Sequence, residues 1–262
     1  MKHTLQVTIL LIVLFLIAQF IGLLIMKPYT VEEKPLPLGI QRPEIEEKTS
    51  FVWIFAIIIG ATIFALFLAK MEANIIWKLW FFVSVIFTLS IAFSSFMHQL
   101  IALALAVILA IFKVFKPNLI IHNLTELFIY GGLAAIFVPI MGILSVSLLL
   151  LIISVYDYIA VRKTKHMISL AKFQAKLKVF AGLLIPYGKH KEAILGGGDI
   201  GFPIIFAGVA LKTVGVKAAI IPFFAAAALA FLLFKSEKKK FYPAMPIITL
   251  GCFVGYIVTL II

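Results

Sequence analysis

Hydrophobic residues run along this chain in long, nearly unbroken blocks, and polar residues collect in the short stretches between them. A membrane-crossing helix needs about 20 mostly apolar residues. Nine blocks approach that length: roughly Leu5–Met26, Phe51–Ala69, Ile76–Ser94, Leu100–Phe115, Leu119–Val138, Met141–Val161, Leu195–Leu211, Val216–Phe234 and Pro243–Ile262. The fifth and sixth are almost continuous, interrupted at Val138-Pro139 and Gly142, where proline removes a backbone donor and disfavours helix before it. The first block follows Lys2 and His3. It exceeds the ~7–15 apolar residues of a signal-peptide core, and no A-x-A cleavage site follows, so it reads as a retained helix. The pattern predicts an all-α polytopic membrane protein of about nine transmembrane helices, which in a prokaryote lies in the cell membrane.

The connecting segments are uneven. Lys27 to Ser50 carries Pro28, Pro35, Pro37 and Pro43 and reads as an irregular loop, either a solvated connector or a substrate contact. Asn123-Leu124-Thr125-Glu126 resembles a capping box at the start of the fifth block, which gives Glu126 a structural role. The longest connection, Arg162 to Ile194, is basic. Its Ile168, Ala171, Ala175, Leu177 and Phe180 interleave with Lys172, Lys176 and Lys178, as in an amphipathic helix at the membrane surface. The chain thus divides into a six-span part (1–162), a basic loop (163–194) and a three-span part (195–262), together forming one integrated membrane domain.

Composition agrees. Hydrophobic residues make up 64% of the chain, against roughly 45–50% in soluble domains. The net charge of +12 does not point to nucleic acid, because the basic residues fall in short loops between spans, where retention on the cytoplasmic side explains them. Alternating nine spans puts most of the 23 lysines and arginines on one side, Lys113 among them, and a minority including Lys212 on the other. That bias predicts a cytoplasmic N-terminus and an outside C-terminus. The single cysteine, Cys252, excludes an intrachain disulfide. The histidines (His3, His98, His122, His166 and His190) are scattered near segment ends without metal-ligand spacing. No metal or cofactor is expected.

Only two aspartates occur, Asp157 and Asp199, both inside apolar blocks. The nine other acids are glutamates, read as lying in connections or at block ends. A carboxylate inside a bilayer costs about 2.5–3.5 kcal/mol on insertion scales, so an intramembrane acid is a functional candidate. Asp157 lies five residues before Arg162, about 7–8 Å inside one membrane face. Asp199 lies a few residues after its block begins at that same face, so the two share a depth. Two carboxylates a few ångströms apart hold one proton between them. One takes a proton from an attacking water, while the other polarises the peptide carbonyl and then protonates the leaving nitrogen. The pair titrates as a unit. Gly196, Gly197 and Gly198 permit unusual backbone angles and close approach of another chain, including an extended substrate. Tyr156 reads equally as a membrane-interface aromatic or a neighbour of the pair. Pro243-Ala244-Met245-Pro246 denies the last helix its entry donors at the same face.

In that order, Tyr156-Asp157, Gly196-x-Gly198-Asp199 and Pro243-Ala244-Met245 resemble the Y-D, G-x-G-D and P-A-L signatures of the presenilin and signal peptide peptidase family. Those are nine-span intramembrane aspartyl proteases, and this chain looks like a compact archaeal-type member. Met245 stands where the family has leucine, a volume-conserving exchange. The resemblance implies that Asp157 and Asp199 are catalytic, and that Tyr156, Gly196, Gly198, Pro243, Ala244 and Met245 shape the site. It further implies transmembrane segments of single-span proteins as substrates, with their N-termini outside. It leaves a homo-oligomer allowed but not required, and it covers members that need accessory subunits as well as members that act alone, the lack of a large soluble domain favouring the latter. Prepilin peptidases also use a G-x-G-D aspartate, but with a lysine where this chain has Gly201. The other class weighed is a transporter or leak channel using the two aspartates as a proton or cation relay; no internal repeat between the halves supports it.

Overall fold

The computed structural model describes residues 4–164, 166–177, 179–188, 191–237 and 242–262. Lys2, Lys165, Lys178, Lys189, Lys238, Lys239 and Lys240 from the charge bias, with His3 and His190, lie outside the described residues, as do the side chains of Ile168 and Lys172. Among the described residues each of the nine apolar blocks is a helix: α1 (Leu5–Thr30), α2 (Ser50–Lys70), α3 (Asn74–Ser94), α4 (Gln99–Phe115), α5 (Leu119–Phe137), α6 (Ile143–Tyr158), α8 (Gly197–Val214), α9 (Ile221–Lys235) and α10 (Met245–Ile261). Between α6 and α8 stand α7 (His166–Lys176) and an antiparallel hairpin of β1 (Gly182–Tyr187) and β2 (Lys191–Gly196). Among the described residues, six helical runs are long and apolar enough to cross a membrane, the last of them, Gly197–Lys235, containing both α8 and α9; α4 and α10 are shorter apolar helices. Helices dominate because lipid offers no hydrogen bonds, so each spanning segment satisfies its own backbone. The chain is an integral, multi-pass membrane protein.

Burial sorts the helices. Along α2 the apolar Val52, Trp53, Ile57, Ile63 and Phe67 are all exposed, as lipid-facing residues are. α8 is the opposite: Ile204, Phe206, Ala207, Val209 and Ala210 are fully buried, and α1, α5, α6 and α10 pack around it. Between α3 and α5 the approach is closest at Gly132, where the backbone carbonyl of Thr88 occupies the place of a Cβ. A side chain there drives the two helices apart. Gly132→Val is expected to cost about 1–3 kcal/mol, measured as a lower Tm in detergent.

Three local readings are corrected. First, α5 starts at Leu119 on the side chain of Asn118, which accepts the N–H groups of Ile120 (2.8 Å) and Ile121 (3.4 Å). Residues 123–126 therefore sit inside the helix and form no capping box; Glu126 is buried in α5 rather than placed at a block end. Second, the amphipathic helix stops at Lys176 instead of reaching Phe180. Gly182 has φ 143° and Gly188 has φ 60°, angles that suit glycine and not a helix. Leu183, Ile185, Ala193 and Leu195 are buried at every second position, the period of a strand, so an otherwise all-α protein carries one small sheet. Third, Lys113 is not a solvated loop charge, and Lys212, though exposed, is tied to helix-end carbonyls. Lys113 is buried in α4. Lys212 donates to the carbonyls of Val138 (3.4 Å), Pro139 (3.1 Å) and Met141 (2.9 Å). Those are the acceptors freed where Pro139 breaks the α5–α6 run, and helix-end carbonyls need partners.

The proline-rich loop packs rather than floats. Leu36 and Pro37 are buried, Lys34 Nζ donates to the Ser94 carbonyl at 2.6 Å, and the Leu38 N–H donates to Gln99 Oε1 at 3.0 Å. Burial pulls the Arg42 guanidinium below its ordinary pKa.

Candidate active site

α6, α8 and α10 pack against one another in pairs, and their ends meet at the two aspartates. Asp157 is in the last turn of α6, followed by a single π turn, Ile159–Lys163. Asp199 is in the first turn of α8, and Met245 begins α10. The first N–H groups of a helix lack intrahelical acceptors and carry partial positive charge. Here Met245 N–H donates to Asp157 Oδ2 at 3.1 Å, and Ala244 N–H also reaches that carboxylate. Pro243 precedes this pair outside the helix, and Pro246 follows in the first turn, where its missing donor is harmless. One turn deeper, Ser154 and Thr249 hydroxyls share a buried hydrogen bond of 2.8 Å, which ties α6 to α10 beside the aspartate.

Asp199 accepts the backbone N–H of Gly196 and lies close enough to Asp157 for direct charge–charge interaction. Both aspartates are half-buried. Of the predicted site residues, Asp157, Asp199, Gly196, Ala244 and Met245 therefore converge. The ring of Tyr156 meets Phe55 of α2 edge-on at 6.2 Å. With Leu151, Ile152, Val155 and Ile159 these two rings line an apolar groove of about 370 Å³ between α2 and α6. None of Gly196, Gly197 and Gly198 has a positive φ, so unusual backbone angles do not explain them. Gly196 ends β2, and the other two start α8. The close approach is real, and it is made by the protein itself. A Cβ on Gly197 would sit 2.5 Å from the hydroxyl oxygen of Tyr130.

Several polar residues near the site were passed over by the sequence reading, as Gln19 was, or given another role, as Asn123 and Glu126 were. Gln19, buried in α1, donates to the Ile200 carbonyl at 3.0 Å, one residue beyond Asp199. Glu126 of α5 pairs with Lys113 of α4 at 2.6 Å, and it also takes the Tyr130 hydroxyl and the Gly182 N–H. Asn123 grips Leu184 both ways, donating to its carbonyl at 2.7 Å and accepting its N–H at 2.9 Å. The available signal was polarity inside apolar blocks, at Gln19, Lys113 and Glu126. Among the described residues, no three His, Cys, Asp or Glu side chains are grouped so as to hold a metal ion.

Comparison with known proteins now bears on this geometry. The family model described as signal-peptide peptidase, presenilin aspartyl protease matches residues 12–262. Two crystal forms of a presenilin family intramembrane aspartate protease share the fold. One superposes with a TM-score of 0.68 at 19% identity, covering 97% of this chain and 98% of that one. The other gives 0.67 at 19% identity, with 96% of each chain covered. No curated protein matches the chain by sequence.

Proposed function

The chain belongs to the signal-peptide peptidase and presenilin family of aspartyl proteases, and from that premise we propose that Asp157 and Asp199 are the catalytic pair of an intramembrane endopeptidase. The observation that carries the reading is the convergence of α6, α8 and α10, where Asp157 interacts with Asp199 and is held by the N–H groups of Ala244 and Met245. Two backbone donors fix the Asp157 carboxylate without adding a competing charge. The Gly196 N–H does the same for Asp199.

The two carboxylates share one proton. The ionised one removes a proton from water as its oxygen bonds to the scissile carbonyl carbon. The protonated one hydrogen-bonds the carbonyl oxygen, then gives its proton to the nitrogen as the C–N bond breaks. Substrate is a transmembrane segment, unwound near its cleavage point. α5 side chains occupy the outer edge of β1 at Gly182 and Leu184. The outer edge of β2 runs directly into Asp199 and offers an extended segment its backbone groups. The apolar groove between α2 and α6 suits the part that remains helical. The lysine and arginine bias orients the N-terminus to the cytoplasm and opens the aspartates toward that side, and with that orientation the family resemblance points to single-span substrates with outside N-termini.

The kcat/KM of the purified chain on such a substrate is expected to be bell-shaped in pH. It falls on the acid side, where both carboxylates are protonated, and on the alkaline side, where both are ionised. A curve governed by one ionisation contradicts a shared-proton pair.

A further inference from the structure

A buried polar network on α4 and α5 lies outside the two-aspartate chemistry, yet its contacts end on the segment that carries Asp199. Lys113 and Glu126 are each 1% exposed and 2.6 Å apart. The His122 ring lies 3.2 Å from Lys113 Nζ through Nδ1, and 2.8 Å from the Gly182 carbonyl through Nε2. Glu126 Oε2 accepts the Gly182 N–H at 2.9 Å and, beside it, the Tyr130 hydroxyl. Gly182 stands opposite Gly196 in the hairpin, and the Gly197 N–H donates to the Ala181 carbonyl at 3.1 Å. The Tyr130 ring then runs along the first turn of α8, from Gly197 to Gly201, where a Cβ would sit 3.4 Å from the ring. Both ends of the hairpin base and the first residue of α8 are thereby tied to one carboxylate.

A buried ion pair gains little net stability, since desolvation offsets the attraction. Ionisable groups kept inside a membrane domain therefore call for another role, and the reach of this network supplies one. We propose that Glu126 and Tyr130 are positioning residues for Asp199. Glu126 clamps the start of β1 and, through the Tyr130 hydroxyl, the first residue of α8, and so sets where the Asp199 carboxylate meets Asp157. The glycine at 197 is the complement of the Tyr130 phenol. The inference rests on Asp157 and Asp199 being the catalytic pair.

The test uses the full chain in detergent micelles cleaving a purified single-span substrate, with kcat, KM and Tm measured for each variant. Tyr130→Phe removes one hydroxyl and keeps the ring. Its kcat per folded molecule is expected to fall about tenfold, with KM within about twofold, beyond the modest drop in Tm that the lost hydrogen bond brings. In a Lys113→Met/Glu126→Leu background, which replaces both charges together, Tyr130→Phe has no further effect, because the hydroxyl acts through Glu126. A Tyr130→Phe kcat within about twofold of wild type, or a loss fully explained by a smaller folded fraction, overturns the proposal. Asp199→Ala is the control. If it is inactive, the Tyr130 result judges the clamp alone. If it still cuts, the catalytic pair is wrong and the clamp falls with it.

Discussion

Asp157→Ala and Asp199→Ala are each expected to lower kcat/KM for a single-span substrate by about a thousandfold or more, and the double variant is expected to be no worse than either. The non-additivity is the informative part. If the carboxylates act as one unit, removing the first leaves nothing for the second to do. Folding is not the cause of the loss. Each substitution removes one of two crowded carboxylates and at the same time frees the backbone N–H groups it held, so the two effects oppose each other and Tm is expected to shift little. Steady-state cleavage with purified protein in detergent measures the rate, and a thermal melt measures the fold. Substantial cleavage by either single variant contradicts the pair.

Glu126→Ala is expected to be the most destabilising single change away from the aspartates, by about 3–5 kcal/mol. It strands the Lys113 ammonium in a buried site, and it orphans the Gly182 N–H and the Tyr130 hydroxyl as well. Replacing both charged partners, as in Lys113→Met/Glu126→Leu, removes the charge along with its counter-charge and costs clearly less. Chemical denaturation in mixed micelles orders the three proteins. A Glu126→Ala protein as stable as the double variant contradicts the buried ion pair.

The helices were legible because lipid imposes one simple rule on the sequence. An apolar run long enough to cross must be a helix, so block positions translated into α1 to α6 and α8 to α10 with shifts of a few residues at their ends. The meeting of Asp157 and Asp199 was legible for a related reason: two antiparallel spans starting from one face put equal residue counts at equal depth. The Met245 N–H bond to Asp157 follows from the proline pair, which holds that helix start at the aspartate's level. The hairpin was hidden because both faces of its strands are largely apolar, with Leu184 and Ile194 standing between the inward residues, so no alternation of polar and apolar positions marks it. The every-second burial of Leu183, Ile185, Ala193 and Leu195 marks the strands only once the fold is formed. Lys113, Lys212 and Glu126 were hidden by the charge count itself, which assigns every ionisable residue near a block end to solvent. Their partners come from other helices, and a one-dimensional pattern holds no record of them. Tyr130 looked like one more aromatic, and its hydroxyl gains meaning only from Glu126 on the turn before it and Gly197 across the interface.

The central claim is that one pair of carboxylates binds the transition state of peptide hydrolysis. Its most direct test is equilibrium binding of a peptide isostere that carries a tetrahedral hydroxyl in place of the scissile bond, because such a molecule is bound more tightly than substrate only where the transition state is stabilised. The account predicts stoichiometric binding to wild type that displaces substrate from the active site, and loss of that tight binding in both Asp157→Ala and Asp199→Ala. Tight binding retained in either variant contradicts it.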